Sequence, residues 1–461
     1  MPTLKLGNNS LLTLPTRITT PSIHIQKDGD HWYVPLFSGS KGAVVQSGDY
    51  NYTLGGLNVG IYRAAIGREE AVVDIYVFSS NSTTWILTSK GDLYGCGYNS
   101  DGQQGSGNTS NVLVFTKRAS NVKEVICSGD TTWYIDNNNN LYGCGRGNFG
   151  QQGSGNTSTV LTFTKRAENV KTVSCNSFTT WYIDTSNNLY GCGYNSGNQG
   201  SGNINDVLTF IKRASNVKEV SCSFRTTWYI DNNNNLYGCG YNYNGQQGSG
   251  ASGYSATVKT FTKRASNVKE VICSASTTWY IDNNNNLYGC GISDRGQQGS
   301  GNTNNVLTFT KRASNVKEVI CPGDITWYID NNNDLYGCGW NSYGQQGSGN
   351  TNNVLTFTKR AENVKTVSCD GFTTWYIDNN NNLYGCGYNS DGQQGSGNTS
   401  DVLVFTKRAS NVKEFSCSGY TAWYIDNNNN LYGCGRNDSG QQGSGNTSNV
   451  LTFTKRDYKT E

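Results

Sequence analysis

Histidine, methionine and proline are nearly missing from this chain, which holds two, one and five of them in 461 residues. Each scarcity excludes something. Both histidines, His24 and His31, lie near the N-terminus, so the rest of the sequence builds neither a histidine-based nucleophile pair nor a histidine metal site. No Gly-x-Ser-x-Gly elbow occurs, and the recurrent Gly-Gln-Gln-Gly-Ser-Gly lacks the lysine and following helix of a phosphate loop. Charge of either sign is also short. With 36 basic and 33 acidic residues the net charge is +3, which makes no case for nucleic acid or an anionic membrane. No apolar run approaches the roughly 18 residues of a membrane span. No charged segment followed by an apolar run is visible after Met1, so the expected location is cytoplasmic when made. No enzyme, cofactor or metal is expected.

Against these absences stands one recurring string. Leu-Tyr-Gly-Cys-Gly begins at Leu93, Leu141, Leu189, Leu236, Leu287, Leu335, Leu383 and Leu431. A period near 50 marks a propeller or solenoid. Such modules bury their cores against one another, so differences between copies are where function should be sought. The 29 Tyr, 15 Phe and 10 Trp recur at fixed places and supply buriable area, which reads as a folded all-β protein.

In the copy from Asn121 to Arg166, Val122–Cys127 alternates as a half-buried strand and Thr131–Asp136 is rich in β-branched and aromatic residues. Asn137–Asn140 reads as a turn, Leu141–Gly145 as a third strand, and Val160–Arg166 as a fourth. Four strands per period make one propeller blade. All fifteen cysteines fall in the repeats. Eight lie in the glycine strand and seven lie earlier in the module, Ser79 taking the eighth place. They read as small residues packed in a tight interior. The recurring tryptophans, such as Trp85 and Trp133, read as core. The recurrent Thr-Lys-Arg and Val-Lys-Glu segments read as a solvated outer edge.

The run Cys127…Trp133…Leu141-Tyr-Gly-Cys-Gly-x-x-x-x-Gly-Gln-Gln-Gly153 resembles the regulator of chromosome condensation repeat, over about residues 73–456. The resemblance implies a β-propeller, usually of seven blades, and a family role in nucleotide exchange on a small GTPase with chromatin binding. There are departures: Cys144 stands for the family's usual Trp, and Thr131 falls near its usual His. Counting modules favours eight blades, with seven as the alternative. Residues 73–92 carry the first half of a module and 431–456 the second, so 73–461 is expected to close by pairing them in one blade.

Residues 1–72 lack the repeat. Runs such as Ser22–Gln26 and His31–Leu36, separated by Lys27-Asp-Gly-Asp30, predict strand, turn, strand. This β-rich extension reads as a docking or anchor piece through which an assembly partner is joined. Its composition resembles head segments of phage fibre proteins, though no motif carries the likeness.

Two segments change from copy to copy. One follows the glycine strand and carries Tyr98, Asp101, Arg146, Phe149, Tyr241, Tyr243, Arg295, Trp340, Tyr343 and Arg436. The other follows the first cysteine and carries Phe178, Phe224, Arg225, Phe372 and Tyr420. An up, down, up strand path places both at one end of the blade, opposite the Asn turn. Aromatic and arginine side chains are the common anchors of interfaces. The expected function is therefore a non-enzymatic recognition scaffold binding a protein or glycan through this face. A viral or phage attachment component would fit, with virion association. Nucleotide exchange or a chromatin role is the alternative, weakened by the lack of any large insertion beyond the three residues near Ala251–Tyr254.

Overall fold

The computed structural model describes residues 73–458 except 81, 224 and 275, together with six short strands nearer the N-terminus. Those six pair as hairpins: Thr3–Leu6 with Asn9–Thr13, Gln26–Asp28 with His31–Tyr33, and Asn51–Leu54 with Leu57–Gly60. Of the segment expected as a turn, Lys27 and Asp28 belong to a strand, while Gly29 and Asp30, like Ser22–Ile25 and Val34–Leu36, lie outside the described residues. Met1–Asp74 and Ile75–Glu461 are separate compact units.

The second unit is a propeller ring of eight four-stranded antiparallel sheets. These blades, numbered 1 to 8, span 75–119, 122–167, 170–214, 217–265, 268–313, 316–361, 364–409 and 412–456. Blade 2 shows how the sequence makes one. Its strands are Val122–Ser128, Thr131–Asp136, Leu141–Gly145 and Val160–Ala167. Thr131–Asp136 is buried along its whole length. A Cβ on Gly143 would lie 2.5 Å from Trp133 Cζ3, so the glycine strand must be glycine to let the indole lie against it. In the turn, Asn139 has φ 60°. The Asp136 carboxylate accepts bonds from the N–H groups of Asn138 and Asn140, at 2.9 and 2.8 Å. That conformational demand accounts for the constancy of the Asn turn.

Every core cluster straddles a joint between blades. Trp133, Ile135 and Leu141 of blade 2 meet Val170, Val173 and Tyr182 of blade 3. A polar clasp reinforces each joint, because the glycine loop after the third strand reaches forward onto the next blade. The Cys144 thiol of blade 2 donates to Gln103 O of blade 1 at 3.4 Å. Gly102 and Gly105, both at positive φ, lie so close to Leu161 and Phe163 of blade 2 that a Cβ would come within 2.6 and 2.7 Å of them. All fifteen cysteines are free thiols, and the eight of the glycine strand are buried.

Two expectations are corrected. Closure does not come from pairing 73–92 with 431–456 in one sheet. Ile75–Ser80 and Thr83–Thr88 already find their partners in Leu93–Gly97 and Val112–Ala119, so blade 1 is complete, as is blade 8. The ring closes by the same clasp as every other joint. Cys96 and Thr84 donate to Gln441 O at 3.4 and 2.9 Å, and Gly445 N–H donates to Leu113 O at 2.9 Å. Trp423 and Ile425 of blade 8 pack against Ile75 and Val77. The second correction concerns Val-Lys-Glu, which is not an outer edge. First strands of successive blades touch around the ring. Their buried Val122 and Val125 need the neighbouring blade's tryptophan, whereas the fourth strand exposes Thr162, Thr164 and Lys165 at the rim.

Candidate recognition face

Register brings the two variable segments together. In blade 2, Ser128 pairs with Thr131, Thr131 with Gly145, and Gly145 with Val160, so the turn after Ser128 and the loop after Gly145 share one end of the sheet. A backbone bond ties them in every blade: Arg146 N–H donates to Asp130 O, and Tyr98, Tyr194, Tyr241, Ile292, Trp340, Tyr388 and Arg436 repeat it on their own blades. The Asn turn occupies the opposite end.

The singled-out side chains gather in three groups. On blades 2 and 3, Phe149 packs 5.4 Å from Phe178 and 5.4 Å from Tyr194. Arg146 beside them pairs with Asp130 at 2.9 Å. On blade 4, Tyr241 and Tyr243 stack at 6.0 Å, Arg225 leans over Tyr241, and Tyr254 of the insertion closes the group. Tyr254 is 73% exposed, and its hydroxyl bond, after burial, holds Tyr241 above the usual phenol range.

The largest group crosses four blades. Arg295 of blade 5 lies 5.3 Å over the Trp340 ring, and Trp340 meets Tyr343 at 5.3 Å. Tyr343 meets Tyr388 at 4.8 Å and Phe372 at 6.1 Å, and both of these reach Tyr420. Arg436 covers Tyr420 at 5.1 Å and donates to Asp438, which holds the guanidinium above its ordinary value. The result is a continuous aromatic arc over blades 6 to 8, with an arginine at each end. All its members are half-buried against one another.

Tyr98 joins none of these groups among the described residues. Asp101 sits instead beside Arg146 and Asp130, its carboxyl pushed up by burial first and by Asp130 second. Phe224 lies outside the described residues. Sequence reasoning missed Tyr194, Tyr388 and Tyr254. The first two stand at the module position of Tyr98 and Tyr241, a signal that was there to read; Tyr254 belongs to the insertion. Among the described residues no cluster of His, Cys, Asp or Glu could hold a metal ion, and no helix is long and apolar enough to cross a membrane.

No protein-family model matches the chain, and no curated protein matches it. Solved structures do. Human WBSCR16 is 17% identical with a TM-score of 0.56, over 68% of this chain and 93% of that one. Prp20p of Saccharomyces cerevisiae, described with its binding properties to Gsp1p and histones, is 16% identical with a TM-score of 0.58, over 72% of this chain and 91% of that one. The fold is that of a β-propeller like those of the regulator of chromosome condensation type, here in eight blades.

Proposed function

We propose that this protein is a non-enzymatic recognition propeller that binds a partner protein through the aromatic arc of blades 6 to 8. One observation carries the reading. Eight blades keep one framework, yet the varied residues of blades 6 to 8 join into one continuous arc of half-buried rings flanked by Arg295 and Arg436. Rigid aromatic surface bordered by arginine is the composition of interface hot spots. Protein is preferred over glycan because the similar fold of Prp20p is described as binding proteins. Neither compared structure is described as an attachment protein, so the narrower reading as a viral or phage component gains no support from them. Residues 1–72 are proposed as the tether to a larger assembly.

Trp340 also packs on the Ile325 cluster, so replacing it would disturb folding as well as binding. The better variant is Tyr343→Ala with Tyr388→Ala and Tyr420→Ala. Affinity capture from the native host should lose its specific partner with this variant while the melting temperature stays within a few degrees. Retention of the partner removes the arc from the interface. Nucleotide exchange is the second reading and rests on the likeness to Prp20p in fold alone. Its test is release of labelled GDP across a panel of small GTPases, where no acceleration retires it.

A further inference from the structure

Beside the arc, at the axis, blades 5 to 7 leave an open, mainly apolar depression of about 290 Å³ lined by Ile272, Ile320, Cys321, Pro322, Val367, Ser368 and Cys369. Its apolar character is local. Serine takes the place of Ile272 and Ile320 in blades 3, 4 and 8, at Ser174, Ser221 and Ser416, and in blade 7, where Ser368 supplies the one hydroxyl of the lining. The volume falls at the foot of the range for small-molecule pockets, roughly 300–1,000 Å³, and suits one side chain better than a whole ligand.

The chain leaving this depression runs straight into the face. Two residues past Pro322 stands Asp324, and three past Cys369 stands Phe372 of the arc. Gln297 Nε2 donates to both Asp294 Oδ1, at 3.0 Å, and Asp324 Oδ1, at 3.4 Å, so carboxylates of blades 5 and 6 converge on one amide. Neither forms an ion pair among the described residues. Arg295, the nearby cation, is drawn over the Trp340 ring. Burial, and then the Asp294 charge, push the Asp324 carboxyl up from its ordinary range, and the charge of Arg295 offsets this only in part.

We infer that the depression receives an aliphatic side chain of the partner protein flanked by a lysine or arginine that meets Asp294 and Asp324. This rests on the reading of the face as a protein-binding surface and adds the chemistry of the segment that docks there. An apolar anchor in a pocket with a desolvated charge pair at its edge is the usual centre of an interface.

The test uses a displayed library of random peptides selected against the full chain. Selected peptides should carry Leu, Ile, Val or Met next to Lys or Arg, and alanine at the apolar position should cost about tenfold in affinity. Affinity should fall by a similar factor against Ile272→Ser with Ile320→Ser, which installs the residue of other blades. It should fall likewise against Asp294→Asn with Asp324→Asn, which leaves packing untouched. Peptides that weaken with Tyr343→Ala and Tyr420→Ala but ignore both pairs overturn the inference and leave the arc standing. Peptides that ignore the tyrosine variant but weaken with both pairs support the depression and displace the arc. No enrichment, or binding indifferent to all three variants, overturns both.

Discussion

Single residues at the axis tie the fold to pH. Glu219 of blade 4 accepts a bond from the Val271 N–H of blade 5 at 3.4 Å. Burial pushes its carboxyl up to about 7, with the charge of Glu270 adding to the shift. Glu124, Glu270, Glu318 and Glu414 are shifted the same way, with burial as the leading cause. A raised folded-state value means the folded form holds its proton more tightly than the unfolded chain. Stability is therefore full below the ordinary glutamate range and declines as pH rises toward 7. The melting temperature should drop over that window in the wild type and drop less in Glu219→Gln. Parallel curves for the two proteins would contradict the shift. The singled-out surface residues were legible one by one, since each falls in one of the two segments that vary between modules. Their grouping was not, because whether Tyr343 meets Tyr388 depends on which blade stands next to which.

At the scale of the element, the glycine loop is a clasp that serves two blades. Gln104 Nε2 donates to Cys96 O at 2.7 Å within blade 1, while the neighbouring Gln103 carbonyl takes the thiol of blade 2. Gln346 makes the same bond to Cys338 O at 2.8 Å in blade 6. Replacing either glutamine by alanine leaves a buried carbonyl without its donor, at a cost of about 1–3 kcal/mol. Urea unfolding should give closely similar losses for Gln104→Ala and Gln346→Ala, and markedly unequal losses would mean the joints are not equivalent. The strands, the Asn turn and the tryptophan core were readable because they answer to local period and propensity, repeated eight times. The phase of the blade was not. Counting from Leu-Tyr-Gly-Cys-Gly cuts each sheet in the middle, and only the partners of Ile75–Ser80 reveal that a blade opens at its Val-Lys-Glu strand. For the same reason the Lys-Glu pairs looked peripheral in the sequence and lie at the axis in the fold.

For the whole molecule, eight complete blades and eight like joints make the position of the chain ends in the ring nearly arbitrary. A permutant of residues 73–461 that begins at Val268, with blade 8 joined to blade 1 through a Ser-Asn link like Ser120-Asn121, should fold with a melting temperature within a few degrees of its parent. A large loss would show that the first-to-last joint differs from the rest. The clasp also has a direction: each blade offers a loop forward and its third and fourth strands backward, as Gln441 meets Cys96, Gln103 meets Cys144 and Gly445 meets Leu113. A ring broken anywhere would thus expose a donor at one end and its complementary acceptor at the other. Unable to satisfy each other across a missing blade, such ends match those of a neighbouring molecule, so a truncated chain would grow head to tail into filaments rather than persist as a monomer.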